Sequence, residues 1–306
     1  MLNYIYNPAV LVTLFLCFTN ALYPINHRAG ETVADHATVS QTPIVIWHGM
    51  GDSCCNPMSM GYVKKLLKTH IPGVYVNSLM LGSNVIEDTE HGFFANMNEL
   101  VDNACEQIQK DTNLQNGYHA MGFSQGGLFI RALAQRCPHP PMKNLISVGG
   151  PQQGIYGLPY CTSLHQSGLC DAVRHLLNYG AYTSLEGYAN YSIFLADLNC
   201  AQNTCNPAYK QNIAKLQNLV LVKFLRDEKV VPKESEWFGY YPDNNSSVIV
   251  DMENTPLYKE DWIGMKTLKD SNRLHLLAVD GRHLQIPADI LKQKTNDEKM
   301  IAKIYP

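Results

Sequence analysis

Gly122-Phe123-Ser124-Gln125-Gly126 places a serine between two glycines at G-x-S-x-G spacing. It follows an apolar run, Tyr118 to Phe123, and opens a helical one, from about Gly126 to Arg136. A serine at such a strand-to-helix junction is held in a strained turn with its hydroxyl exposed above the sheet. The flanking glycines let strand and helix approach without Cβ clashes. That prepares nucleophilic attack on an acyl carbon. A plain turn with serine as N-cap has the same letters, but the strand before it and the helix after it favour the nucleophile.

A serine hydroxyl attacks only when a neighbouring base takes its proton, and the base needs an acid to orient it. On a sheet of this kind the partners follow in the order Ser, Asp or Glu, His. Asp227 lies just after the apolar run Leu219–Leu225, and His283 just after Leu274–Val279. Both sit where loops leave strand C-terminal ends, the side on which α/β sites assemble. Asp251 also ends an apolar run, Val248-Ile249-Val250, and is the competing acid. Two backbone N–H groups should meet the developing oxyanion. Gln125, next to the serine, supplies one; Met50, in His48-Gly49-Met50-Gly51 after an early strand, supplies the other. Cys54 and Cys55 follow at once, but no strand-to-helix elbow holds them. They read as structural, bridged to each other or to other cysteines. These groups need no metal and no cofactor.

Positioning them requires a particular set of elements. Pro43 to His48 and Val74 to Leu79 read as strands, with a helix between them that groups Tyr62, Val63, Leu66 and Leu67 on one side and stops at Pro72-Gly73. Phe93 to Lys110 reads as one helix, Leu145 to Val148 as a strand, and Ala288 to Ile304 as a closing helix. The alternation predicts an α/β fold, a mostly parallel sheet with helices on both faces. From about 150 to 218 the rhythm breaks into a stretch rich in Gly, Tyr, Asn and Cys, which reads as a cap insertion. The expected organisation is a leader at 1–21, a lead-in at 22–42 and a single domain at 43–306.

Ala9 to Phe18 is an apolar run of ten residues. That is too short to span a bilayer and fits a secretory leader, with cleavage after Ala21. No later run is long and apolar enough to span. Of nine cysteines, Cys17 falls in the leader and eight remain, an even number that suits disulfides. Sequons at Asn190, Asn244 and Asn245 fit the same compartment. Apolar residues make up 45% and charged ones 17%, the reverse of the balance that disorder needs. With a net charge of -3 and Lys64, Lys65 and Lys68 on the wet face of a helix, nothing prepares the chain for nucleic acid.

The segment from His48-Gly49-Met50-Gly51 through Cys54-Cys55-Asn56-Pro57 resembles the lysosomal palmitoyl-protein thioesterases, the type 1 enzymes most closely. So do Met121 to Gly127, Gln135 to Pro138, Ile193 to Asp197, Val222 to Leu225, Ser235 to Gly239 and His283-Leu284-Gln285. The resemblance runs from about Pro43 to Gln285. It implies an α/β-hydrolase that removes long fatty acyl groups from S-acylated cysteines of proteins in the lysosome lumen. It places the nucleophile at Ser124, the acid at Asp227, the base at His283 and the oxyanion donors at Met50 and Gln125. It implies disulfides Cys54–Cys55, Cys105–Cys137 and Cys161–Cys170; a fourth, Cys200–Cys205, follows by elimination. Two departures stand out. Only Thr183 to Tyr191 separate Gly180-Ala181-Tyr182 from Ser192-Ile193-Phe194, a shorter cap segment than the family carries. Each methylene that a groove fails to bury forfeits about 0.8 kcal/mol, so acyl-chain preference is the property at stake. Arg226 also stands where the type 1 enzymes carry a sequon Asn.

Two other readings fit the same residues. A secreted lipase or carboxylesterase would turn the same triad on oxygen esters, and matched ester and thioester substrates separate the two. A non-catalytic acyl-lipid-binding glycoprotein would not label at Ser124 with a fluorophosphonate.

Overall fold

The computed structural model describes residues 41–156, 182–183, 192, 194–202, 204–242 and 245–285. The leader, the lead-in up to residue 40, Cys161, Cys170, Asn190, Asn244, the short cap segment at 184–191 and the expected closing helix lie outside the described residues.

Strand β1 (Ile44–Trp47) leads through helix α1 (Met60–His70) to β2 (Val76–Ser78). Helices α2 (Val85–Phe94) and α3 (Met97–Lys110) come next. Then follow β3 (Tyr118–Phe123), α4 (Gln125–Arg136) and β4 (Met142–Val148). After a two-strand pair, β5 (Ile155–Tyr156) and β6 (Tyr182–Thr183), come the short helices α5 (Leu195–Leu198) and α6 (Pro207–Ile213). Strand β7 (Asn218–Phe224), helices α7 (Pro256–Lys259) and α8 (Met265–Asp270), and β8 (Leu274–Val279) complete the order. The six strands of the main sheet stand in the order β2-β1-β3-β4-β7-β8, every pair parallel. This is the α/β arrangement that the alternation of elements predicts. Among the described residues no helix is long and apolar enough to cross a membrane.

Strand period decides which side chain faces which layer. Val45 and Trp47 of β1, Ala120 of β3, Leu145 of β4 and Leu219 and Leu221 of β7 point into one core, shared with α3, α4 and α8. Ile44 and Ile46, Met121 and Phe123, Ile146 and Val148, Val220 and Val222 point the other way, onto Val63, Leu66 and Leu67 of α1. Burying each such side chain contributes roughly 1.5–3 kcal/mol. Phe194, Leu195, Leu198, Tyr209 and Ile213, which the sequence groups with the cap, belong to the first core. Arg136 and Tyr209 converge on Asp197 there, at 2.6 Å each. That segment packs on α4.

One helix was expected over Phe93 to Lys110; the structure has two, with Ala95 extended between them. Asn96 is the cause. Its side chain accepts the Asn98 N–H and so begins a new helix. Helix α2 itself is unanticipated, and Asn84 starts it by accepting from Ile86 and Glu87. Helices α7 and α8, between β7 and β8, are likewise unanticipated.

At the N-terminal edge of the sheet a polar ladder crosses four strands. Asn144 Nδ2 donates to His119 Nδ1 at 3.0 Å, Asn218 Nδ2 to Asn144 Oδ1 at 3.0 Å, and His275 Nε2 to Asn218 Oδ1 at 2.8 Å. The opposite, C-terminal edge carries the chemistry.

Candidate active site

Ser124 stands between β3 and α4 with φ 53° and ψ −126°, a left-handed conformation that a side-chain-bearing residue adopts only under constraint. The constraint is the close crossing of β1, β3 and α4. A Cβ on Gly126 would lie 2.5 Å from the His48 carbonyl oxygen and 2.6 Å from that of Trp47. One on Gly122 would run into the Gly126 backbone. Only glycines permit this approach, and it drives the serine hydroxyl out over the sheet edge.

The base and acid arrive from the neighbouring strand ends. Ser124 Oγ–H points to His283 Nε2 at 2.9 Å. His283 Nδ1–H donates to Asp227 Oδ2. That bond fixes the tautomer and leaves the Nε2 lone pair toward the serine. Asp227 is held by its own loop, where Oδ1 accepts Lys229 N–H at 2.6 Å and Val230 N–H at 3.0 Å. The Phe224 ring stands edge-on to the imidazole, 6.4 Å between centroids. Arg226, at the sequon position, ties the acid loop to the base loop: Nε meets Asp280 Oδ1 at 2.9 Å and its backbone N–H meets Gly281 O at 3.0 Å. Both side chains are more than half exposed, so the ion pair itself is worth about 1 kcal/mol at most. Asp251, the competing acid, is exposed and lies before the 3₁₀ turn Met252–Asn254, while His283 Nδ1 is taken by Asp227.

Burial alone would push the Asp227 carboxyl up. Hydrogen bonds, those from His283 and the Lys229 N–H among them, outweigh it and bring the carboxyl down to about 2. Asp227 therefore stays an anion throughout the ordinary acid range. Asp227, Glu236 and His283 each present one atom within 4.8 Å of the others, a spacing that a metal ion would also accept. Both imidazole nitrogens are already engaged, by Asp227 and Ser124, an arrangement suited to proton transfer.

The loop after β1 folds over the nucleophile. A Cβ on Gly49 would lie 3.0 Å from Ser124 Cβ and 3.7 Å from its Oγ, so the turn that carries Met50 starts against the nucleophile. Gln125 opens α4, where the helix N-terminus presents its N–H groups and positive end. The loop is braced at several points. Cys54 and Cys55 are bridged to each other. Asp52 Oδ1 accepts from Asn56 and from Ser59, at 2.9 and 2.7 Å. Ser78 Oγ of β2 donates to the Cys54 carbonyl at 2.7 Å. Asp88 of α2 accepts Cys54 N–H at 2.9 Å and Leu81 N–H at 2.7 Å. Burial would raise the Asp88 carboxyl, but the His48 imidazole beside it and the hydrogen bonds from the Cys54 and Leu81 N–H groups hold it below the usual value.

Further out, Cys105 is bridged to Cys137 and Cys200 to Cys205, tying α3 to the end of α4 and closing the loop after α5. Asn245 is exposed. Sequence reasoning places Ser124, Asp227, His283, Met50 and Gln125 at one sheet edge, and the structure brings all five there. It missed Asp88 and Glu236. A lone acid in a helix or a turn carries no motif, although Glu236 sits in Ser235-Glu236-Trp237-Phe238-Gly239, one of the segments that carry the resemblance.

The profile of the family described as palmitoyl protein thioesterase matches residues 43–283. The chain is 54% identical over 268 residues to palmitoyl-protein thioesterase 1 of Caenorhabditis elegans, covering 82% of this chain and 89% of that one. It is 32% identical over 264 residues to palmitoyl-protein thioesterase 3 of Dictyostelium discoideum, covering 83% and 89%. It is 26% identical over 258 residues to the lysosomal thioesterase PPT2 homolog of Drosophila melanogaster, covering 78% and 83%.

Proposed function

The chain belongs to the palmitoyl protein thioesterase family, and from that premise we propose that it cleaves palmitoyl and similar long acyl thioesters of protein cysteines through an acyl-serine. Ser124 is the nucleophile, His283 the general base and Asp227 the acid that orients it. One observation carries this reading: Ser124 Oγ lies 2.9 Å from His283 Nε2 while Nδ1 is held by Asp227.

The cycle follows from that geometry. His283 Nε2 takes the Ser124 proton as Oγ attacks the thioester carbon, and Asp227 stabilises the imidazolium. The carbonyl oxygen moves toward the N–H groups of Met50 and Gln125 as it gains charge. Donors of this kind are worth roughly 3–4 kcal/mol each in serine hydrolases. The tetrahedral adduct collapses, the cysteine sulfur leaves with the proton from His283, and the acyl group stays on Ser124. Water then enters, His283 deprotonates it, and attack on the acyl-serine releases the fatty acid. Every step uses groups of this chain.

The lumen of the lysosome, reached through the secretory pathway, is the compartment we assign. The apolar leader, the bridged cysteines and the name of the Drosophila relative support it.

The test compares a palmitoyl-cysteine peptide with its octanoyl and oxygen-ester counterparts, using wild type and Ser124→Ala. Palmitoyl thioester turnover that disappears in the variant is the expected result. Faster cleavage of the oxygen ester would move the assignment to a lipase or carboxylesterase.

A further inference from the structure

Behind Asp227 lies a second carboxyl for which the acyl-serine cycle has no step. Glu236 sits in the 3₁₀ turn Lys233–Trp237 and is 1% exposed. Its Oε2 accepts the Phe224 N–H at 2.7 Å, at the very end of β7. Its Oε1 is sealed from water, with no N–H or hydroxyl donor to accept from. The carboxyl nonetheless presents an oxygen within 4.8 Å of one of Asp227, in the cluster that includes His283.

Two carboxylates cannot both hold charge at that separation in a buried site. Asp227 has the better claim, because Lys229 and Val230 N–H and His283 all donate to it. Glu236 has one backbone N–H. The proton therefore belongs to Glu236. We propose that Glu236 is a positioning residue acting through Asp227: a neutral carboxylic acid whose Oε1–H donates to the Asp227 carboxylate, fixes it in line with His283 Nδ1 and keeps it ionised in acid. The role rests on the acyl-serine reading above.

The surroundings agree. Burial first, then the hydrogen bond to Asp227 and its negative charge, raise the Glu236 carboxyl well above the ordinary range. The groups facing it are few. Asp227 comes from the acid loop, His283 from the loop after β8, and Lys223 from β7, with its Nζ drawn 3.9 Å over the Trp237 ring. The loop at 150–154 brings the amides of Gln152 and Gln153 to this turn and no charge. Arg131 of α4 meets the turn through the Phe238 ring, 5.1 Å from its centroid. No cation closes on Glu236 tightly enough among these to strip its proton.

The experiment is the pH dependence of kcat/KM on a palmitoyl-cysteine thioester, from about pH 2 to about pH 8, for wild type, Glu236→Gln, Glu236→Leu and Ser124→Ala. A glutamine still donates to Asp227 and accepts from Phe224, so Glu236→Gln should keep the wild-type acid limb. Leucine removes the donor and leaves burial to raise Asp227 unopposed by that bond. Its acid limb should move up by about one pH unit, with about fivefold lower activity near pH 2 than the wild-type profile gives. An unmoved or lowered limb in Glu236→Leu would overturn the proposal, since an ionised Glu236 would have been repelling Asp227. Should that variant fail to fold, infrared spectroscopy decides. The D₂O-sensitive carbonyl stretch of a buried protonated acid should be present at neutral pH in wild type and missing in Glu236→Gln; its absence from wild type refutes the role. Turnover surviving in Ser124→Ala would overturn the acyl-serine reading and this role with it. A dead Ser124→Ala beside an unmoved Glu236→Leu removes Glu236 alone.

Discussion

His48 Nε2 lies 3.3 Å from Asp88 Oδ2, in a pair almost wholly screened from water beneath the turn that carries Met50. Asp88 belongs to α2, yet it reaches across to His48, to the N–H of Cys54 and to that of Leu81. One carboxylate thus fixes both ends of the loop expected to supply an oxyanion donor. Asp88→Ala would leave two buried N–H groups without acceptors, at about 1–3 kcal/mol each. Thermal unfolding should report that loss. The kinetic expectation is more specific: kcat falls by tenfold or more while KM changes little, because the loosened donor matters most in the transition state. A variant with lower Tm but unchanged kcat would show that Asp88 only stabilises the fold.

The crossing of β1, β3 and α4 makes a second prediction. A methyl at residue 126 would meet the Trp47 and His48 carbonyls at 2.6 and 2.5 Å, and neither backbone can yield without opening the sheet. Gly126→Ala should give little soluble protein, and what folds should have lost labelling by a fluorophosphonate. Normal labelling would mean that the elbow tolerates a wider crossing than the structure has.

The acid of the triad predicts both a rate and a stability. Asp227→Asn presents an amide to His283 Nδ1, favours the wrong tautomer and should lower kcat roughly 10⁴-fold near neutral pH. For stability the sign follows from a folded carboxyl at about 2 against 3.8 unfolded. The unfolded chain binds more protons between those values, so Asp227 contributes about 2 kcal/mol above the higher one. That contribution is lost as pH falls through about 2. Urea unfolding of wild type and Asp227→Asn should therefore differ at neutral pH and converge in strong acid; parallel curves would contradict the shift.

The polar ladder at the far edge titrates in a milder range. Burial foremost, with Lys143 nearby, lowers the His119 imidazole from 6.5 to about 4, and burial lowers His275 as well. Neutral His119 accepts from Asn144; protonated, it would face that amide donor to donor. Between pH 6.5 and about 4 the unfolded chain takes up the proton more readily, so this site contributes stability above that window and loses it on acidification. The full loss is about 3 kcal/mol. His119→Gln should narrow the difference in Tm between pH 7 and about pH 4.5. An unchanged difference would place the acid sensitivity elsewhere.

The sheet and its catalytic edge were legible because their signals are local. G-x-S-x-G is read in five residues, and Asp227 and His283 each stand within a few residues of a strand end. The break at Ala95 was missed because the apolar pair Phe93-Phe94 runs smoothly into the helical pattern after it. Asn96 and Glu99 form the N-terminal signature that marks the restart. The segment around Phe194 to Ile213 is less legible for the opposite reason. Its glycine- and cysteine-rich surroundings suggest a cap, while its apolar residues pack on α4. Asp88 and Glu236 were out of reach. Each works through contacts that the chain assembles only in three dimensions, Asp88 with Cys54 thirty-four residues away and Glu236 with Asp227.

The central claim is that the acyl group passes through Ser124, and trapping it there is the most direct test. The purified protein would be mixed with a palmitoyl thioester, quenched in acid within the first turnover, digested and examined by mass spectrometry. A palmitoyl group on the peptide that contains Ser124, absent after Ser124→Ala, is the expected result. Continued thioester cleavage by Ser124→Ala, or an acyl group on any other residue, would contradict it.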